Sequence, residues 1–277
     1  MRFDRPVGTL LLLWPTLAAL WIASSGRPSP TLVAIFVLGT IVMRAAGCVI
    51  NDYADRHLDA HVERTRDRPL ATRAVSEFEA LMLFAALLTI ALVLVLFLNP
   101  LTRWLALGGV VIATLYPFMK RWTYMPQAVL GAAFSWGIVM AFAATDGKLT
   151  DGAWLMSVAS VLWIVAYDTL YAMVDRDDDL KVGIKSAAIL FGSADLTIVA
   201  ILQAATIVSL VLLGAHLHYG PAYFVGIAVA AGLFVYQQRL IRDRNPGRCF
   251  AAFRNNTWVG FALFAGTVVE LNVAPHL

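Results

Sequence analysis

Charge is scarce in this sequence. Only 14% of its 277 residues are Asp, Glu, Lys or Arg, while 60% are hydrophobic and the mean hydropathy is +0.74. Soluble globular domains carry roughly 25% charged residues. The deficit excludes an ordinary water-soluble enzyme and argues for a chain that crosses a membrane several times. Cysteine is scarcer still. Cys48 and Cys249 lie 201 positions apart, form no C-x-x-C or metal spacing, and read as two reduced thiols. Cys48 beside Gly47 suits helix packing better than a nucleophile, since no partner that would activate a thiol adjoins it in sequence. No glycine-rich nucleotide loop, serine nucleophile elbow, haem-attachment motif or H-E-x-x-H occurs. His57 and His61 share a helix face by spacing, yet without a third ligand they read as an exposed face rather than a zinc site. The net charge of +3 is modest, and no nucleic-acid partner is expected.

What the chain has in abundance is long apolar runs. A membrane span takes about 20 such residues, and nine stretches qualify: 7–25, 31–50, 77–98, 101–119, 125–145, 153–174, 194–214, 221–236 and 257–274, the eighth being short. The N-terminal run is about twice the length of a secretory h-region and is followed by further spans, so it reads as an uncleaved first span. "LNP" at 98–100 and "HYGP" at 218–221 mark turns between packed helices. Nine alternating crossings put seventeen of the 21 Lys and Arg on one side, leaving Arg27, Arg103 and Lys148 opposite and Arg44 within a span. The positive-inside rule makes the rich side cytoplasmic. Most carboxylates gather there too, in 51–76 and 175–193.

Two stretches echo each other. "VINDYADRHLD" ends the second span and "VAYDTLYAMVDRDDD" ends the sixth. Residues three, four and seven apart share a helix face, so Asp52, Asp55 and Asp59, with Asn51, form one acidic stripe. Asp168, Asp175 and Asp179, with Tyr171, form another. An acidic run in a loop is ordinarily just solvated, and Asp177 and Asp178 read that way. Matched stripes at corresponding places in two four-helix halves do not, and Asp168 lies at or near membrane depth, where an ionisable group is a functional candidate. Facing carboxylates suit Mg²⁺, which takes one or two of them with waters and phosphate oxygens. Arg64, Arg66 and Arg68, with Lys120 and Arg121, supply the cations for a diphosphate.

"NDYADRHLD" matches the N-D-x-x-D-x-x-x-D motif of the intramembrane aromatic prenyltransferases, the UbiA family, and "DRDDD" supplies their second D-x-x-x-D. "LLLLWPTLAALW", "MRAAGCVINDYADR", "YPFMKRWTYMPQAVLGAAFSW", "YDTLYAMVDRDDDLKVGIKS" and "AILFG" resemble the branch that acts on hydroxybenzoate. The resemblance implies an all-α polytopic protein, residues 1–277 as one domain, with nine transmembrane helices around a central lipid-open cavity. Mg²⁺ and a polyprenyl diphosphate would sit at its cytoplasmic end, in a bacterial inner membrane, with 4-hydroxybenzoate as acceptor. It also implies that Asp52, Asp55, Asp59, Asp175 and Asp179 hold the metal, and that Asn51, Arg64, Arg68, Lys120, Arg121 and Lys181 hold diphosphate. Asp168 or Asp175 is expected as the base that removes the ring proton, Arg44 or Arg121 as the cation for the acceptor carboxylate, and Tyr116, Tyr167 or Tyr171 as walls for an allylic cation. No obligate protein partner is expected. Two rival readings use similar parts: a family member with a different acceptor, and an ion-coupled transporter, whose site would lie nearer the bilayer midplane.

Overall fold

The computed structural model describes residues 6–59 and 65–273, and among them there is no β-strand. Nine helices of 17 residues or more make up the described chain: α1 (Val7–Ala23), α2 (Pro30–Asp55), α3 (Glu77–Leu96), α4 (Pro100–Trp122), α5 (Pro126–Asp146), α6 (Asp151–Val182), α8 (Asp195–His216), α9 (Pro221–Ile241) and α10 (Pro246–Asn272). A five-residue α7 (Ala187–Phe191) lies between α6 and α8.

The starts and stops are written locally. Proline opens α2, α4, α5, α9 and α10, where its fixed φ and missing N–H cost nothing. Asn99, Thr150 and Asn245 cap α4, α6 and α10 by accepting from the backbone N–H groups of Thr102, Ala153 and Arg248. Ser76 and Glu79 close a reciprocal capping box on α3. Gly147 and Gly183 end α5 and α6 in the left-handed conformation.

Seven helical stretches are long and apolar enough to cross a membrane: α2, α3, α4, α5, α6, α9 and the continuous Ala187–His216 segment. α1 is apolar but only 17 residues long, and α10 is long but diluted by Arg248, Arg254, Asn255 and Asn256. The sequence boundaries shift most at this end of the chain. The short eighth run becomes a 21-residue α9, and the ninth helix starts at Pro246 rather than 257. The polar residues that looked like loop are paired inside the bundle. Gln203 donates to Gln237 (2.9 Å), Gln237 donates to Asn255 (2.9 Å), and the Trp163 indole donates to Asn256 (2.8 Å). Gln237 and Asn256 are fully buried, and paired amides inside a bundle no longer bear the cost of lost hydration.

α6 is the central element, packed against α5, α8 and α10. Its 32 residues span about 48 Å at 1.5 Å per residue, well beyond a hydrocarbon core of about 30 Å. The overhang is braced by Asp195, fully buried at the start of α8, which accepts from Arg176 of α6 (3.1 Å) and from Arg244 (2.7 Å). α3 and α4 show the opposite character, turning Leu81, Met82, Ile90, Val111 and Leu115 outward. Such faces are stable only against lipid tails, since the hydrophobic effect would drive them inward in water.

α9 and α10 meet backbone to backbone. A Cβ at Gly226 would lie 2.9 Å from the Ala262 carbonyl oxygen and 3.1 Å from Gly266 Cα. Overpacking of this kind costs about 1–3 kcal/mol or more. Gly226→Leu is expected to lower the thermal midpoint in detergent clearly, whereas Gly232→Leu, where a Cβ meets nothing within 4 Å, should leave it close to wild type.

Candidate active site

One large cavity of about 1150 Å³ runs through the helix bundle, walled by α1 to α6, by the segment after α6, and by α10. α8 and α9 contribute nothing to this wall and back it from outside, so the expected symmetric halves do not enclose it equally. Most of the wall is apolar, with Leu88, Leu92, Val95, Leu107 and Val110 among its side chains. Most of the charged groups, with Asn51 beside them, are gathered where α2 and α4 end and where α6 overhangs: Asp55, Asp59, Arg68, Lys120, Asp175, Asp179 and Lys185. Arg44 and Asp168 lie deeper, Arg254 is on α10, and Arg103 is at the far end, where α4 begins.

The α2 side departs from the expected stripe. α2 ends at Asp55, the Leu58 N–H donates to the Asp55 carbonyl (2.7 Å), and the chain turns, so Asp59 is not on the helix. It returns to the site through side-chain bonds. Arg68 Nη1 lies 2.8 Å from Asp59 Oδ2 and 3.1 Å from Asp52 Oδ1, and the Thr65 hydroxyl donates to the Asp59 carbonyl (3.1 Å). Asp52 itself is not among the cavity-lining residues, and Arg68 ties it to Asp59. Burial pushes the Asp59 carboxyl above the usual carboxylate range, against the opposing pull of Arg68, and the negative charge of Asp55 pushes it further.

Lys120 at the end of α4 pairs with Asp55 Oδ2. The second oxygen, Oδ1, is buried and has no hydrogen-bond partner. The same end of α4 and the start of α5 anchor the segment after α6: the Lys120 carbonyl accepts from the Lys185 N–H (3.0 Å), and Gln127 Oε1 accepts from the Ala187 N–H (3.1 Å). Lys185 and Ser186 are thereby carried into the cavity wall, the Ser186 hydroxyl buried and without a partner.

On α6 the expected stripe is present. Asp168, Tyr171, Asp175 and Asp179 all line the cavity from one unbroken helix. Tyr171 packs 4.8 Å, ring to ring, from Phe253 of α10. Tyr167 is 2% exposed, its ring edge-on to Trp163, and its buried hydroxyl has no partner. Arg44 also lines the cavity, eleven residues before Asp55, or about 16 Å deeper along α2.

Two expected contacts fall elsewhere. Arg121 is exposed, donates to the Ala54 carbonyl, lies 5.6 Å from the Phe118 ring, and is not in the wall. Adjacent residues on a helix point about 100° apart, and α4 is turned so that Lys120 faces Asp55 while Arg121 does not. Lys181 is mostly exposed and pairs with Asp178 (2.9 Å), again away from the wall. Arg64, like His61, lies outside the described residues. Sequence reasoning had left Lys185 and Arg254, both in the wall, among ordinary loop cations. The helical register of α10 would have exposed Arg254, one residue after the ring that packs on Tyr171.

Among the described residues no three His, Cys, Asp or Glu side chains are close enough to hold a metal ion unaided. The donor set fits Mg²⁺ all the same, since that ion takes one or two carboxylates and completes its shell with water and phosphate oxygens. The orphaned Asp55 Oδ1 and the buried carboxyl of Asp59 are the oxygens a dication would relieve.

An apolar cavity within lipid-facing helices, with ionised groups of both signs at one end, defines a membrane-embedded enzyme site for an amphiphilic anion. The model of the UbiA prenyltransferase family matches residues 12–264, and the chain belongs to that family. It is 57% identical over 274 residues to the 4-hydroxybenzoate octaprenyltransferase of Hahella chejuensis, spanning 99% of this chain and 91% of that protein. It is 56% identical over 269 residues to the 4-hydroxybenzoate octaprenyltransferase of Coxiella burnetii, spanning 97% and 94%. Among solved structures, the apo UbiA homolog from Aeropyrum pernix K1 aligns with a TM-score of 0.84 at 25% identity, covering 98% of this chain and 99% of that one. The UbiA homolog from Archaeoglobus fulgidus bound to GPP and Mg²⁺ shares the fold, with a TM-score of 0.71 at 19% identity, covering 97% and 98%.

Removing the shared cation should expose the strain between the acids. Arg68→Ala leaves Asp52 and Asp59 without their common partner, and losing one side of a partly buried pair costs about 2 kcal/mol or more. The ligand-free variant is expected to melt earlier than wild type, with added Mg²⁺ raising its midpoint more than that of wild type.

Proposed function

We propose that the chain transfers a polyprenyl group from polyprenyl diphosphate to the ring carbon ortho to the hydroxyl of 4-hydroxybenzoate, releasing diphosphate, as the prenylation step of ubiquinone biosynthesis. The near-full-length identity to two 4-hydroxybenzoate octaprenyltransferases carries this reading. The enzyme sits in the bacterial inner membrane with nine crossings, in two four-helix halves plus one, and works at its cytoplasmic face, as the one-sided Lys and Arg distribution supports.

Asp55 and Asp59 on one side and Asp175 and Asp179 on the other are the residues that would hold Mg²⁺, with Asp52 fixed behind them by Arg68. The bound metal supplies neutralisation of the diphosphate as it leaves. Asn51, Arg68, Lys120 and Lys185 bind the same phosphate oxygens, a preorganised set of donors aimed at the developing charge. When the allylic C–O bond breaks, its electron pair leaves with diphosphate. The faces of Tyr116, Tyr167 and Tyr171 stabilise the remaining allylic cation, and the apolar wall excludes the water that would quench it. Arg44 holds the acceptor carboxylate. A π pair from the ring forms the new C–C bond, and Asp168 takes the proton from that carbon, with Asp175 the other candidate base. A family member with another acceptor would use the same diphosphate end. A transporter site would gather its charges near the midplane rather than at one edge.

Membranes containing the protein should convert labelled 4-hydroxybenzoate and a polyprenyl diphosphate into a lipid-extractable product, and EDTA should stop it. Absence of product, or product indifferent to chelation, would overturn the assignment. Asp168→Asn is expected to lower kcat by about 100-fold or more, the usual scale of a positioned acid or base. Wild-type turnover at saturating substrates would remove Asp168 from that role. Arg44→Ala should cut kcat/KM for 4-hydroxybenzoate and spare that for the donor.

A further inference from the structure

The first turn of α1 and the middle of α2 meet at one point of the cavity wall. A Cβ at Gly8 would stand 2.4 Å from Arg44 Nη2, 2.5 Å from Nε and 2.8 Å from Cζ. The Arg44 guanidinium therefore lies directly over the α-carbon of Gly8, in space that any side chain would take. Nothing else in the structure calls for glycine there. Gly8 lies within α1, is not among the glycines with positive φ, and glycine inside a helix costs about 1 kcal/mol relative to alanine. The clearance is the physical reason that remains.

The guanidinium held this way belongs to the deeper part of the cavity, whose wall also carries Tyr116, Tyr167 and Asp168. It also lies at the N-terminal turn of α1, the positive end of that helix's dipole. A cation there is repelled by its own scaffold, and an anion bound to the guanidinium from the cavity side relieves that repulsion. The orphaned Tyr167 hydroxyl offers a further polar contact in the same wall.

We propose that Gly8 is a positioning residue for acceptor selection: its missing side chain lets the Arg44 guanidinium lie against α1, where it receives the carboxylate of an aromatic acid. This rests on the assignment of Arg44 to the acceptor carboxylate. The atoms that a methyl group at position 8 would meet are the far end of a flexible side chain, so alanine displaces the guanidinium and leaves the helix intact.

Four variants of the full chain in membranes test this: Gly8→Ala, Arg44→Ala, Arg44→Lys and the double variant Gly8→Ala/Arg44→Lys, with Gly232→Ala as a control on an open face of α9. Each is assayed for kcat and KM with 4-hydroxybenzoate and with polyprenyl diphosphate, alongside a thermal melt. Gly8→Ala is expected to raise the acceptor KM about tenfold, the scale of one lost hydrogen bond to a charged group. Its donor KM should stay within twofold and its melt at or above that of wild type. Arg44→Lys should cost much less when added to Gly8→Ala than when made alone, because the two positions act on one interaction. If Arg44→Ala lowers acceptor kcat/KM while Gly8→Ala changes nothing, the role of Gly8 is overturned and that of Arg44 stands. If Arg44→Ala leaves the acceptor untouched, the reading of Arg44 falls and Gly8 falls with it. A Gly8→Ala protein that fails to fold, or that loses both substrates equally, also overturns the proposal, since the clash would then be with the scaffold.

Discussion

The structure depends on keeping several carboxylates ionised at the mouth of an apolar cavity. A carboxylate moved from water into such surroundings loses much of its hydration energy, and it stays charged only if other charges replace that hydration. Here the replacement comes from elements distant in sequence. Lys120 of α4 meets Asp55 of α2, and Arg68 bridges Asp52 and Asp59. Each pair fastens two segments that have little apolar surface to share at this end of the bundle. α2 and α4, in particular, diverge to leave the cavity between them, and the ion pair is a principal link where they end. The charges proposed to hold diphosphate thus also set the shape of the mouth.

The rest of the bundle can then be simple. α5, α6, α8, α9 and α10 pack through small residues and a chain of amides that bind each other, while α3 and α4 turn greasy faces outward. Lipid supplies no hydrophobic drive for helices to associate, so the polar chain Gln203–Gln237–Asn255 and the Gly226–Gly266 contact hold together the part of the bundle that backs the cavity.

The helices were legible in the sequence because proline, asparagine and glycine mark their ends and hydropathy marks their middles; α1, α3, α4 and α5 begin and end within three residues of the expected places, while α2 and α6 run on past theirs. The misreadings have a common cause. Gln237, Arg254, Asn255 and Asn256 count as loop by polarity, yet they are paired or face a cavity, and polarity alone cannot tell water from a buried partner. The candidate site divides the same way. The stripe on α6 followed from helical spacing and is there. The stripe on α2 assumed that a helix would run on past Asp55, where the chain instead turns and Asp59 returns by way of Arg68. Lys120 and Arg121 were equivalent as letters, and only the rotation of α4 separates the one that faces Asp55 from the one that does not. Family membership was legible from the two aspartate motifs and their flanking words, which are local enough to survive all these errors.

The two acidic walls of the mouth are built from different materials. Asp175 and Asp179 ride on an uninterrupted helix whose overhang is braced from the side, so their spacing is set by backbone hydrogen bonds that no ligand touches. Asp59, beyond the end of α2, is held by a guanidinium that also binds Asp52 and whose own charge a phosphate would court. The site is therefore an anvil and a hinge rather than two matching grips: one wall fixes the datum, and adjustment to each cargo, loaded or spent, falls to the other.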